Sequence, residues 1–251
     1  MKGGNSLNHE IHFKSEKNHW WFKSRRAILR NILDIIGDSN QRSLLEVGCG
    51  TGGNLRFLFN NFQKLAGLDI DEGAIKLAKQ ESSEITYIHG DANYLDNLQS
   101  TYDIIAFLDV LYHKNIKKVS DVIKQAYDKL NPNGYLLISE PAFNILKGQH
   151  SKNVKSKRRF KIKDFNSMII NSGFKEIKFA SYWGMVLFVI IFLKRRILDH
   201  ILGEKILSEG TDIIQIPIID DLLYKVTTAE MLLMRGRKIP FGSSVVILAR
   251  K

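Results

Sequence analysis

The sequence predicts a doubly wound α/β domain, an open sheet of parallel strands with helices on both faces. Three observations predict it. Short apolar runs alternate with helix-length amphipathic stretches. The first run, Leu44 to Val47, feeds a glycine-rich turn and then a helical pattern. At 251 residues the chain is long enough for one such domain with its own core.

In order, a first helix is expected from Trp20 to Ile36. Strands follow at 43–48, 64–69, 85–88, 103–108 and 134–140, with helices near 52–60, 72–80 and 117–130 between them. Phe174 to Tyr182 reads as a sixth strand and Ser244 to Arg250 as a seventh. The gap between those two is far longer than a hairpin needs. An inserted helical cap, residues 183–239, is expected to fill it. There is no internal repeat and no low-complexity tract.

Composition narrows the options. The single cysteine, Cys49, excludes an intrachain disulfide and lies inside the glycine turn, where a small side chain fits. The N-terminus is polar and charged, so no secretory signal is read and a cytoplasmic location is expected. The seven histidines show no metal-ligand spacing.

The turn carries the chemistry. Gly48, Gly50 and Gly52 allow a tight bend that brings backbone N–H groups against a ligand, with Thr51 and Cys49 between them. Two cofactors compete for it. Gly48, Gly50 and Gly53 satisfy a dinucleotide fingerprint, and an acidic residue, Asp69, follows after about 20 residues as that fingerprint asks. Against this, Glu46 sets a carboxylate at the strand end, a poor neighbour for pyrophosphate and a good one for an ammonium or sulfonium. Asp91-Ala92, after the third strand, offers a carboxylate to an adenine amino group. The fourth strand then runs into Leu108-Asp109-Val-Leu-Tyr-His113.

Taken together, these segments resemble the class I S-adenosylmethionine-dependent methyltransferases, from about residue 18 to the C-terminus. Glu46-Val-Gly-Cys-Gly-Thr-Gly52 looks like that family's first motif. Leu65-Ala-Gly-Leu-Asp-Ile-Asp71 is similar to its second, with Asp69 taking the ribose hydroxyls beside Ile70. Asp91-Ala92 resembles the adenine contact, Asp109-Val-Leu-Tyr-His113 the fourth motif, and Leu130-Asn-Pro-Asn-Gly134 the loop before strand five. One branch of the family is closer still. It is similar in its Trp20-Trp21-Phe22 helix with Arg25-Arg26, in Pro141-Ala142, in His150 followed by Arg158-Arg159-Phe160, and in Pro240-Phe-Gly-Ser-Ser244. The chain departs from the branch at Tyr112, where a Glu is usual, and at Ser151 and Ser156.

The resemblance implies a Rossmann-like, seven-stranded sheet whose last strand is antiparallel. It implies one domain over 1–251, divided into an N-terminal lid helix (1–40), a cofactor-binding core (41–182), the cap (183–239) and the last strand (240–251). S-adenosylmethionine is the expected cofactor. Its methionine end would meet Trp21, Arg26, Glu46, the glycine turn and Asp109. A sulfonium methyl is already activated, so alignment and exclusion of water are the main tasks. His113 is the first candidate base, His150 the second, and Asp109 would orient acceptor or cofactor.

The acceptor is read from charge and apolarity. The formal balance is +11, much of it between Lys152 and Lys163. There Lys157, Arg158 and Arg159, with Tyr112, are the expected acceptor contacts, suited to a phosphate-bearing group. Within the cap, Trp183-Gly-Met-Val-Leu-Phe-Val-Ile-Ile-Phe-Leu193 is nearly all apolar and ends at Lys194-Arg195-Arg196. It falls short of the ~20 residues that span a bilayer. It reads either as a buried cap helix or as an interfacial element at a membrane surface. The function expected is O-methylation of a small or lipid-linked acceptor, sugar or prenyl-type, by a cytoplasmic enzyme with a peripheral place at the membrane. A non-catalytic cofactor-binding scaffold in a membrane-side complex, an RNA methyltransferase and an NAD oxidoreductase are the alternatives. No RNA-binding module is appended, which counts against nucleic acid.

Overall fold

A computed structural model describes residues 13–147, 156–193, 217–234 and 238–251. Its strands are β1 Ser43–Val47, β2 Lys64–Asp69, β3 Thr86–His89, β4 Tyr102–Leu108, β5 Leu130–Pro141, β6 Glu176–Trp183 and β7 Ser244–Arg250. The helices are α1 Trp20–Leu33, α2 Gly53–Phe57, α3 Glu72–Glu81, α4 Val119–Lys129, α5 Ile162–Ser172, α6 Met185–Leu193 and α7 Pro217–Met234. A further helical stretch, residues 13–18, precedes α1.

The strands form one seven-stranded sheet in the order β3-β2-β1-β4-β5-β7-β6. β7 runs antiparallel to both neighbours, and the remaining pairs are parallel. This is the predicted fold class. Side chains alternate across the sheet, as a period of two requires. Leu45, Val47, Ile105, Phe107 and Ile138 pack with α4 and α5 on one face. On the other, Leu44, Ile104, Ala106 and Leu137 meet Ile28, Leu29 and Ile32 of α1. Covering both faces leaves ligands only the edge at the strand ends.

Two differences from the sequence reading have clear causes. β5 starts at Leu130 because Leu130 already pairs with Tyr102 across a register shift, ahead of the main ladder from Tyr135. α5 was not expected, since Lys161 and Lys163 belong to a basic run that reads as loop. Its buried side, Phe165 and Ile169, has only four-residue spacing to announce it.

Candidate cofactor and acceptor site

Strand order reverses between β1 and β4, and ligands of open α/β sheets bind beyond the strand ends at such a point. A cleft of about 220 Å³ opens there. Its walls are Gly48 after β1, Asp69 and Ile70 around the end of β2, Asp91 and Ala92 after β3, and Asp109 and His113 after β4.

The glycine turn closes only because it is glycine. Gly48 has φ +73°, and a Cβ there would run into Val110. Asp69 holds the turn's shape: Oδ2 accepts from the Gly50 N–H (2.7 Å) and Oδ1 from the Asp71 N–H (2.8 Å). Asp91 Oδ1 likewise accepts from the Asn93 N–H (2.9 Å), capping the turn that begins at Ala92. Ile70 is 53% exposed beside these carboxylates, an apolar wall suited to a flat base. Leu108, the last residue of β4, is buried behind Asp109.

Thr51 and Cys49 face away from the cleft's polar work. The Thr51 hydroxyl donates to Glu16 Oε2 (2.7 Å), tying the turn to the stretch before α1. Cys49 is buried, and burial pushes its thiol well above the usual range, so it is no nucleophile.

Glu46 is the anomaly. It sits fully buried on the α1 face of β1, where Leu44 is a core residue. Oε1 accepts from Asn54 Nδ2 (2.6 Å), while Oε2 has no hydrogen-bond partner among the described residues. Burial pushes its pKa up to about 8, against the pull of the Asn54 hydrogen bond and the nearby Arg25 charge. A buried carboxylate oxygen left unmatched is costly unless something binds it.

α1 brings an arginine to the loop after β4, a different one from the one expected. Arg25 donates to Asp109 Oδ2 and to Asn54 Oδ1 (3.2 Å) and lies 4.6 Å over the Trp21 ring. Arg26, expected at the cofactor, instead donates to the carbonyls of Glu16 (2.5 Å) and Lys17 (3.0 Å). Helix geometry explains the exchange. Trp21 and Arg25 are four residues apart and share a face, whereas Arg26 points about 100° away. Asp109 itself has φ +62°, tolerable for an aspartate, and its N–H donates to Ser139 O (2.9 Å).

The loop after β4 hangs on a residue the sequence reading passed over. Glu140 of β5 is fully buried, and it accepts from the N–H groups of Val110 (2.9 Å), Leu111 (2.7 Å) and Tyr112 (3.2 Å). Burial and the Asp109 charge raise its pKa, and the three N–H groups oppose them. Its signal in the sequence was a charge inside the apolar run Tyr135-Leu-Leu-Ile-Ser-Glu140.

On the acceptor side, His113 Nδ1 accepts from the Asn115 N–H (3.2 Å). In a neutral ring so arranged the proton sits on Nε2, which can donate. Tyr112 is partly buried, and burial together with Asp109 and Glu140 raises its phenol pKa. His150 lies outside the described residues. Of the basic run, Arg158 is an internal brace rather than a free acceptor contact. Its guanidinium donates to Ile116 O (2.9 Å) and, more loosely, to the carbonyls of Leu111 (3.4 Å) and Lys117 (3.4 Å). Arg159 donates to Ala142 O (3.1 Å), and Lys157, exposed, gives its backbone N–H to Tyr112 O (3.0 Å). A wider groove of about 470 Å³ has Lys117, Lys118, Arg158 and Arg159 on its walls. Among the described residues no cluster of His, Cys, Asp or Glu could hold a metal ion.

A family model described as "Methyltransferase domain" matches residues 20–173, more than half of the chain. The chain belongs to this family. Among curated relatives it is 33% identical over 121 residues to a malonyl-[acyl-carrier protein] O-methyltransferase of Priestia megaterium, covering 47% of this chain and 43% of that protein. It is 21% identical over 127 residues to a trans-aconitate 2-methyltransferase of Deinococcus radiodurans, covering 51% and 48%. The chain thus spans about half the length of the curated relatives it matches. A solved S-adenosylmethionine-dependent methyltransferase from Archaeoglobus fulgidus has the same fold, with TM-score 0.58 at 17% identity, covering 96% of this chain and 99% of that one. A magnesium protoporphyrin IX methyltransferase from Synechocystis, solved with S-adenosylmethionine bound, matches with TM-score 0.51 at 20% identity, over 63% and 71% of the two chains. Fold and family are those of the class I S-adenosylmethionine-dependent methyltransferases. S-adenosylmethionine is also the cofactor that the cleft's residues fit.

Proposed function

We propose that the protein transfers the methyl group of S-adenosylmethionine to an oxygen of an anionic acceptor, small or lipid-linked, of sugar or prenyl type. The cofactor half of this reading is carried by one observation: the buried, unmatched Oε2 of Glu46, two residues before the glycine turn. The cleft itself is walled by three carboxylates, Asp69, Asp91 and Asp109. Such a cleft suits a cationic amino acid, a ribose diol and an adenine amino group, and repels pyrophosphate.

When bound, S-adenosylmethionine supplies a methyl already activated on a sulfonium. Glu46 would offer its free oxygen to the cationic end of the cofactor, with Trp21 and Arg25 closing over it from α1. Asp69 and Asp91 would accept from the ribose and adenine, and Ile70 would cover the base. Glu140 holds the loop that presents Asp109 and His113 to the acceptor.

His113, as an Nε2–H donor, would orient an acceptor without deprotonating it. That suits an oxygen ionised at neutral pH, a carboxylate or phosphate. The groove walled by Lys117, Lys118 and Arg159 favours the same charge. Malonyl-[acyl-carrier protein] and trans-aconitate, named for two relatives, both carry carboxylates. A lipid-linked acceptor would be presented from a membrane surface.

The test is transfer of labelled methyl from S-adenosylmethionine to panels of carboxylates, sugar phosphates, prenyl phosphates and neutral analogues. Turnover confined to the anions, with a raised KM in Lys118→Ala/Arg159→Ala and an unchanged cofactor Kd, is expected. Preference for neutral acceptors, or a KM untouched by both substitutions, overturns the anionic reading.

A further inference from the structure

The cofactor and acceptor readings leave one element unused. α6 is nine residues long, all apolar, and none of them is buried. Val189, Ile190 and Leu193 are exposed at 42%, 46% and 45%. The helix is nonetheless firmly mounted. Buried Glu230 of α7 accepts from the N–H groups of Met185 and Val186, both at 2.8 Å. Phe188 packs edge-on against Phe143, just after β5, and against Phe241, with ring centroids 5.5 and 5.3 Å apart. A rigid helix that presents Val189, Ile190 and Leu193 outward is a surface looking for a partner.

Charge identifies the partner. α6 contains no acidic residue, and the chain carries a net charge of +11. Exposed Lys161 lies over the ring of Phe143, the residue against which Phe188 of α6 packs. An apolar strip with a cation beside it on a basic chain matches an anionic bilayer, hydrocarbon edge to the strip and headgroups to the cation. The nine described residues rise about 13 Å against a hydrocarbon core of ~30 Å. Among the described residues no helix is long and apolar enough to cross a membrane.

We propose that α6 docks the protein on an anionic membrane surface, with Val189, Ile190 and Leu193 entering the boundary between headgroups and acyl chains. The docking is independent of what is methylated. It also gives the acceptor side a direction: through Phe188 the docked helix reaches Phe143, two residues beyond the end of β5.

The experiment is co-sedimentation of the full chain with phosphatidylcholine vesicles and with mixed phosphatidylcholine–phosphatidylglycerol vesicles. Binding to the mixed vesicles, weakened by salt, is expected. Val189→Ser/Ile190→Ser/Leu193→Gln should lose it by about tenfold or more. S-adenosylmethionine affinity of that variant should equal wild type, so a failure of docking is separable from a failure of the cofactor reading. As an independent readout, Ile190→Trp should show emission quenched by brominated acyl chains. The proposal is overturned if wild type ignores anionic vesicles or the triple variant binds them equally. It is also overturned if Ile190→Trp is not quenched, or if the triple substitution abolishes a dimer seen by light scattering and leaves vesicle binding intact.

Discussion

The two sides of the cleft are held by opposite means. On the cofactor side the carboxylates are fixed from within the first three strand–turn units: Asp69 by Gly50 and Asp71, Asp91 by Asn93, Glu46 by Asn54. On the acceptor side the fixing groups come from far along the chain. Glu140 holds residues 110–112, Arg158 holds Ile116, and Ser24 of α1 meets Thr227 of α7 at 2.6 Å. The cofactor side is therefore a property of three strand–turn units, and the acceptor side a property of the whole fold. Damage to one should spare the other in a way experiments can read.

The largest effect is expected where the two sides join. Glu140→Ala leaves three N–H groups unpaired, that of Leu111 buried and those of Val110 and Tyr112 partly so, at roughly 1–3 kcal/mol for a buried one and less for the others. Stability should fall by about 3 kcal/mol or more in chemical denaturation, and methyl transfer should fall further than cofactor affinity. An unchanged denaturation midpoint would remove Glu140 from its post.

Gly48→Ala breaks the cofactor side alone. Left-handed backbone and the collision with Val110 together should weaken S-adenosylmethionine binding on the order of a hundredfold. Vesicle binding should be untouched.

A smaller and sharper contrast lies within α1. Arg25→Ala should lower cofactor affinity about tenfold. Arg26→Ala should leave affinity alone and lower stability by about 1–3 kcal/mol, because two carbonyls lose their donor. Equal effects of the two on affinity would mean that α1 acts only as packing.

Legibility in the sequence followed the same division. The parallel strands and the turns that carry Glu46, Gly48, Asp69 and Asp91 were readable, because each depends on a strand and the turn right after it; the antiparallel last strand came from the family resemblance alone. Arg26 was chosen over Arg25 because adjacency in sequence says nothing of which helix face looks inward. Arg158 read as a ligand contact because its true partners, the carbonyls around Ile116, are about forty residues away. Glu140 gave a visible signal, a charge within a strand, but its three partners lie on another strand's loop. α5 hid behind its basic start.

Glu46 also predicts a pH signature. Its folded pKa is near 8, above the ordinary carboxylate value. Between those two values the folded state keeps a proton that the unfolded state has lost, so ligand-free stability should fall as pH rises across that window. Glu46→Gln should flatten the slope, and thermal melts from pH 5 to 9 would show it.

The most direct test is calorimetric titration with S-adenosylmethionine, S-adenosylhomocysteine and NAD, run below and above pH 8. Micromolar binding of the first two and none of NAD is predicted. S-adenosylmethionine affinity should rise with pH, and a proton should be released on binding as Glu46 ionises against the cation. Binding of NAD, or no binding of the sulfonium compound at any pH, would contradict the account.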